Sequence, residues 1–222
     1  MKVVAIIPTA GSGTRMQADL LKPFIKIKDK PIFIYTLEAL EKNSLINNIV
    51  LVVSKENIDE FKSIVDKSSF SKTIEIVEGG LTRSESVKNG LKTLDQDVDI
   101  VLVHDGVRPF IDQELINQVI DASKIHGAAI AAVRVKPTIK RVDEDLFVYA
   151  TLKRNELWEV QTPQAFKKDI ILKAHDNLND AAPTDDAFLV EQIGVKVKVV
   201  EGSYKNIKIT TKEDIEIAES FL

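Results

Sequence analysis

Two rhythms of apolar residues run through the 222-residue chain. Short β-branched runs at Val3–Ile7, Ile49–Val53, Thr73–Val77, Ile100–Val103, Ala128–Val133 and Val195–Val200 read as strands. Several are apolar on both faces, as expected of a parallel sheet covered by helices on either side. Between them, Ile32–Glu41, Asn57–Val65, Ser84–Leu94, Gln113–Ile125 and Lys212–Phe221 place apolar residues three or four apart and read as helices. Plausible caps open three of these: Ser84 with Lys88 beyond it, Asp112 before Gln113, and Thr211 before Lys212-Glu213-Asp214. This alternation predicts an α/β fold with a doubly wound, mostly parallel sheet. Ligand sites in such sheets open beyond the carboxyl ends of the strands.

Pro137–Ala150 breaks the rhythm. Two short alternating segments flank Asp143-Glu144-Asp145, the pattern of a β-hairpin. An isolated hairpin is marginal in water, so Leu146, Phe147 and Tyr149 need cover. The hairpin either folds back on its own domain or packs on a second subunit, and the pattern leaves both open. No internal repeat or low-complexity linker interrupts the chain, so the expectation is one domain over 1–222, with 136–150 as an arm within it.

Composition narrows the functional classes. The chain is 44% apolar and 29% charged, an ordinary globular balance. A net charge of -4 argues against nucleic acid as a partner, because phosphate-backbone binders carry a basic excess or stripe. No apolar run reaches membrane-spanning length, and the apolar start Met1–Pro8 is too short for a signal peptide. With no cysteine there is no thiolate nucleophile, disulfide or cysteine metal site, and a reducing cytoplasm is the natural reading.

The most informative stretch is Ile6-Ile7-Pro8-Thr9-Ala10-Gly11-Ser12-Gly13-Thr14-Arg15-Met16. A strand runs into two glycines, hydroxyls and an arginine, and Lys22 follows before Pro23. Glycines let backbone N–H groups close on a phosphate chain, and an arginine fork matches phosphoryl oxygens. A dinucleotide-binding turn would want a third glycine where Met16 stands, which argues against a nicotinamide-dependent oxidoreductase. A P-loop would need Gly-Lys-Ser/Thr, which is absent. A tight turn with an exposed arginine is the plain alternative; the pairing of Arg15 with Lys22 favours a triphosphate cradle.

Ala10-Gly11-Ser12-Gly13-Thr14-Arg15-Met16 with Lys22 resembles the signature loop of pyrophosphorylase-type nucleotidyltransferases. Later segments resemble one family among them, the 2-C-methyl-D-erythritol 4-phosphate cytidylyltransferases of non-mevalonate isoprenoid synthesis. These are Val101–Pro109 around His104-Asp105-Gly106-Val107-Arg108, Arg154–Trp158 with Thr162-Pro163-Gln164, Thr184-Asp185-Asp186-Ala187, and Asn206–Thr210 around Lys208. The resemblance implies a Rossmann-like nucleotidyltransferase fold with a protruding arm, and cytidylyl transfer from CTP to methylerythritol phosphate with release of pyrophosphate. The related D-ribitol 5-phosphate cytidylyltransferases remain the alternative.

That chemistry asks for cations and alignment, because the attacking phosphate is already an oxyanion and needs no general base. The resemblance assigns catalysis to Arg15, Lys22 and Lys208, which stabilise the transition state. It assigns CTP binding to Ala10, Gly11, Ser12, Gly13, Thr14, Gly80, Ser86 and Asp105, with Gly80 and Ser86 reading the base. It assigns the acceptor to Arg108, Thr138, Arg154, Thr162 and Thr184, with Thr138 and Arg154 reaching across a homodimer. Mg²⁺ is implied as cofactor, held mainly by phosphates with Asp105 nearby. Read without the family, Lys208 is equally a solvated lysine, Asp105 a turn cap, and the Gly79-Gly80 loop a turn before a helix cap. The chain departs from the family at four places: Phe24 replaces glutamine, Thr9 a common alanine, Lys205 an acidic residue, and Gly106-Val107 the frequent Ala-Ala.

Overall fold

A computed structural model describes residues 1–10, 22–177 and 183–222. Seven strands form its main sheet: β1 (Val3–Pro8), β4 (Asn48–Val53), β5 (Ile74–Glu78), β6 (Ile100–Val103), β7 (Ala128–Arg134), β10 (Trp158–Lys167) and β11 (Lys198–Glu201). Their order is β11-β7-β10-β6-β1-β4-β5. The block β6-β1-β4-β5 is parallel, and β11 is parallel to β7. Between the two blocks, β10 runs antiparallel to both β6 and β7. The sheet is therefore mostly parallel, as the β-branched runs predict.

Alternation along β1 divides the core. Val3, Ala5 and Ile7 point to one side, where they meet α1 (Ile32–Glu41), α2 (Ile58–Asp66) and α4 (Gln113–His126) through Phe33, Leu37, Phe61, Leu115 and Val119. Val4 and Ile6 point to the other, against α3 (Arg83–Leu91), α5 (Lys168–Asp176) and α6 (Asp186–Gln192) through Val87, Ile171 and Val190. Burying such side chains on both faces, at roughly 25 cal/mol per Å² of apolar surface, is what holds the layers together. A third, smaller cluster seats α7 (Lys212–Glu219) and the short hairpin β2–β3 (Lys26–Ile27, Lys30–Pro31) against the start of α1, through Ile27, Ile32, Ile209 and Ala218.

Several expectations shift at their boundaries. The fifth and last strands begin later than their apolar runs, at Ile74 and Lys198, where pairing with a neighbour begins. The cap of α3 is corrected from Ser84 to Thr82: the Thr82 hydroxyl accepts from the Glu85 N–H, and the Glu85 carboxylate accepts from the Thr82 N–H. The short β2–β3 hairpin was not anticipated, nor were three longer elements. Strand β10 carries Pro163 and buries polar Gln161, Thr162 and Gln164, and α6 has only seven residues, whereas Ile170, Ile171 and Ala174 do give α5 a helical spacing.

The hairpin forms as β8 (Lys140–Val142) and β9 (Val148–Thr151), joined across Asp143–Phe147. It is a separate two-stranded sheet. Leu146, Phe147, Val148 and Tyr149 are all more than half exposed on the single chain, so the arm does not fold back to bury them.

Candidate active site

The parallel strands deliver their carboxyl ends to one edge, and Asp105 sits there, two residues past β6. It lines a cavity of about 300 Å³ together with Arg83, Arg108, Val160, Gln161, Thr162, Gln164, Thr184, Asp185 and Lys208. Five residues proposed from sequence are thus brought together from four separated segments: Asp105, Arg108, Thr162, Thr184 and Lys208.

Asp105 is 6% exposed and surrounded by positive charge. Its Oδ1 accepts from Arg83 Nε at 3.1 Å, and its Oδ2 lies 2.8 Å from Lys208 Nζ and 3.6 Å from Arg108 Nε. Burial alone would push this carboxyl up. Arg83, then Lys208 and Arg108, overcome that and hold it well below the usual carboxylate range, so it is ionised. The guanidinium of Arg83 continues to Asp186, with Nη1 donating to Oδ2 at 2.7 Å, and His175 Nε2 lies 3.1 Å from the other oxygen of Asp186. Asp186 is likewise held low: burial raises it, and Arg83 and His175 outweigh burial.

Local folding accounts for the placement of each group. Lys208 lies between Ile207 and Ile209, which pack into the third cluster, and the Ile209 N–H donates to the Val107 carbonyl at 2.9 Å. Alternation then turns Lys208 the other way, toward the cavity. Asn206 is fully buried; its side-chain amide donates to the Thr162 carbonyl at 2.8 Å, and its own carbonyl accepts from Arg108 Nη1 at 2.7 Å. The Thr162 hydroxyl accepts from the Asp105 N–H at 3.0 Å and lies 3.2 Å from His104 Nδ1. His104 Nε2 faces the Arg108 carbonyl at 3.0 Å, an acceptor only, so Nε2 carries the proton and Nδ1 accepts from Thr162. Burial pushes the His104 imidazole down to about 4, so it is neutral and structural at pH 7. Where Thr162 lies, the pairing of β10 with β7 is interrupted between Val160 and Gln164, and the Thr162–Pro163 peptide is cis. Across the cavity, Gln164 accepts from the Ala187 N–H and donates to Asp185, which itself caps α6.

The base-reading candidates lie on the neighbouring β5–α3 turn. The Gly80 N–H donates to Ser86 Oγ at 3.1 Å, and that hydroxyl donates to the Thr82 carbonyl at 2.9 Å. A Cβ placed on Gly79 would lie 2.6 Å from that of Ala10, so this turn abuts the chain just after the first strand. Gly11, Ser12, Gly13, Thr14 and Arg15 lie outside the described residues, as does the side chain of Lys22.

Thr138 and Arg154 are not brought to this cavity within the chain. Both are exposed at the arm's base, where Arg154 Nη1 donates to the Lys136 carbonyl at 2.8 Å. Conversely, Arg83, Gln161, Gln164 and Asn206 were not singled out from sequence. Arg83 stands in the Gly79–Ser86 loop with no role assigned to it, and its long-range contacts, 22 and 103 residues away, reveal it.

Comparisons with known proteins agree over the whole chain. The family described as 2-C-methyl-D-erythritol 4-phosphate cytidylyltransferase matches residues 3–222. Proteins of that name from Clostridium novyi and Alkaliphilus oremlandii are 48% and 46% identical to it over 224 residues. Each alignment covers 100% of this chain, with 96% and 95% of the relative. Among solved structures, the 4-diphosphocytidyl-2C-methyl-D-erythritol synthase of Anaerococcus prevotii superposes with a TM-score of 0.89 at 38% identity, over 99% of this chain and 95% of that one. The cytidylyltransferase structure from Francisella tularensis gives 0.84 at 34% identity, with full coverage of both chains.

Proposed function

Because the chain belongs to the 2-C-methyl-D-erythritol 4-phosphate cytidylyltransferase family, we infer that the cavity around Asp105 is where the cytidylyl group moves from CTP to the acceptor phosphate. The observation that carries this reading is the ring of Arg83, Arg108 and Lys208 about one ionised carboxylate at the carboxyl edge of the sheet.

In this reading CTP lies with its triphosphate along Ala10, Gly11, Ser12, Gly13 and Thr14, and its base against Gly80 and Ser86. Asp105 faces the nucleotide. Arg15 and Lys22 converge on the α-phosphorus, and Lys208, 39% exposed and on a flexible stem, turns from Asp105 to the reacting phosphates. Charge spreads over the phosphoryl oxygens as the bond to pyrophosphate breaks, and these cations stabilise it; losing one such contact costs about 10²–10³ in kcat. Arg108, Thr162 and Thr184 line the acceptor side. No proton need be removed from the acceptor, and the neutral, internally bonded His104 is not required as a base.

A divalent cation is typical of nucleotidyltransferases, and the donor set here fits Mg²⁺ held chiefly by substrate. Asp105 is ionised and lines the cavity, while Asp185 is engaged as the cap of α6. Among the described residues no group of three or more acidic or histidine side chains forms a cage. Asp105 would be the protein's ligand, with triphosphate oxygens and water supplying the rest; bound there, the ion neutralises triphosphate charge.

The exposed apolar tip of the arm supports a homodimer in which Thr138 and Arg154 of one subunit complete the partner's acceptor pocket. The whole 222 residues then form one catalytic unit, with the arm as its dimerisation element. The described part contains no helix long and apolar enough to cross a membrane.

The decisive assay is Mg²⁺-dependent pyrophosphate release from CTP, with 2-C-methyl-D-erythritol 4-phosphate or D-ribitol 5-phosphate as acceptor and ATP, GTP and UTP as controls. Release is expected with CTP and the methylerythritol acceptor. Preference for ribitol phosphate would overturn the acceptor assignment, and silence with every pair would overturn the transfer reading.

A further inference from the structure

Among the described residues, Arg83 alone bridges two buried carboxylates. It donates from Nε to Asp105 Oδ1 at 3.1 Å and from Nη1 to Asp186 Oδ2 at 2.7 Å. Asp105 is 6% and Asp186 1% exposed. The carboxylates belong to different parts of the site. Asp105 follows β6 on the nucleotide side, and Asp186 opens α6 directly after the cavity-lining pair Thr184-Asp185. Arg83 is the first residue of α3, so it ties the end of one strand to the starts of two helices.

The two oxygens of Asp105 are held differently. Among the described residues, Oδ1 meets only Arg83, whose guanidinium is braced from behind by Asp186, itself braced by His175 on α5. Oδ2 meets Lys208, a long and partly exposed side chain, and Arg108 at a loose 3.6 Å. A planar fork fixed at both ends is a rigid partner, whereas an ammonium on four methylenes is a mobile one. Among the described residues, Arg83 Nη2 and Arg108 Nε are buried without a hydrogen-bond partner. Each orphaned donor costs about 1–3 kcal/mol, a cost tolerated where a group must keep one geometry.

We propose that Arg83 is a positioning residue for cytidylyl transfer: it clamps Oδ1 of Asp105 so that Oδ2 and Lys208 can exchange partners as substrates bind, and Asp186 in turn clamps Arg83. This rests on the transfer reading above. Arg83 touches neither reacting atom and acts through Asp105. Without it, the departure of Lys208 toward a phosphate would leave Asp105, among the described side chains, with only the distant Arg108, free to rotate or to recapture Lys208.

The test uses the full-length enzyme as wild type, Arg83→Lys, Asp186→Asn and the double variant. Activity is pyrophosphate release, and each kcat is normalised to the CTP-binding fraction measured by calorimetry with Mg²⁺ present. Arg83→Lys keeps the charge but cannot span both carboxylates, and Asp186→Asn keeps the shape but loses the charge. Each single variant is expected to lose roughly 10–100-fold in kcat while KM for CTP changes less than about threefold, the pattern of misplacement as opposed to lost binding. The double variant should be no more than about threefold below the worse single, because the pair acts as one clamp. Folded variants with wild-type kcat, losses confined to KM, or multiplicative losses in the double would each overturn the proposal. So would failure of all three to fold, which would assign the bridge to stability alone. An inactive wild type would instead sink the transfer reading, so the two failures are distinguishable.

Discussion

A Cβ built on Gly106 would lie 2.3 Å from Cγ2 of Thr9 and 3.2 Å from Cγ2 of Ile7. Thr9 cannot retreat easily, since its hydroxyl and its N–H both donate to the Val52 carbonyl, at 2.8 and 2.7 Å. In the family this chain resembles, alanine is common at the first position and frequent at the second. The larger Thr9 thus occupies the space that a methyl on residue 106 would need beside Asp105. Gly106→Ala should destabilise the enzyme by about 1–3 kcal/mol through overpacking, and Thr9→Ala in the same chain should restore most of that. Denaturant unfolding of the two singles and the double checks this; a double as unstable as Gly106→Ala would refute the coupling. His104 sets a second expectation at this scale. Burial lowers it from 6.5 to about 4, so between those values the unfolded chain binds a proton that the folded chain refuses. Stability is intact above about pH 6.5 and falls as pH drops toward 4, by about 3 kcal/mol in all. Asp105 and Asp186, held below their ordinary 3.8, add their losses only at still lower pH. Urea midpoints between pH 7.5 and 5 should show the slope, and His104→Gln should flatten it.

Helix α3 shows how one element serves both fold and site. Val87 and Leu91 bury on the sheet while Arg83, its first residue, reaches the cavity. The cap that starts the helix also fixes where that arginine stands. Losing the capping box through Thr82→Ala should cost about 1 kcal/mol, seen as a lower melting temperature, with a smaller fall in kcat from fraying at Arg83. Unchanged stability would mean the first turn is held by the Arg83 bridges alone. The sequence did announce this helix, since its apolar residues keep the helical spacing. It misplaced the cap by two residues because Thr82 and Ser84 are both competent caps and only the hydrogen bond to Glu85 separates them. Strand β10 was hidden for a different reason. Its polar residues Gln161, Thr162 and Gln164 are buried because other segments supply their partners: Ser203, Asp105 and Asp185. No local pattern encodes partners that lie 21 to 57 residues away.

At the scale of the whole molecule, the exposed arm bears on the proposed homodimer. Tyr204 links the arm to the segment that leads to Lys208: its hydroxyl donates to the Arg134 carbonyl at 2.6 Å, and the Lys136 ammonium lies 3.4 Å from its ring centroid. The arm's root is thus tied to the loop that carries Lys208. If Arg154 serves the partner's site and Lys208 its own, Arg154→Ala and Lys208→Ala subunits should complement. Each homodimer is nearly inactive, yet a heterodimer keeps one intact site. Random mixing by co-refolding should recover about a quarter of wild-type activity, since a C2 interface places each arm at the opposite site. No recovery, with subunit exchange demonstrated by tags, would place both residues in one subunit's site.

The sequence by itself determined the sheet's main strands, five of the helices and the existence of the arm, because periodicity is local and burial on two faces writes itself into consecutive residues. It also held the motifs whose resemblance names the chemistry. Only the tertiary structure decided that β10 inserts antiparallel between two parallel blocks, and that Asp105, Thr162, Thr184 and Lys208 share one cavity. Tertiary contacts alone paired the partly exposed Arg83 with the buried Asp186, 103 residues away. The physical reason is that an ionised carboxylate is tolerated inside a protein only beside its counter-charges. Those counter-charges arrive from wherever the chain returns to the sheet's edge, a distance that local pattern does not record.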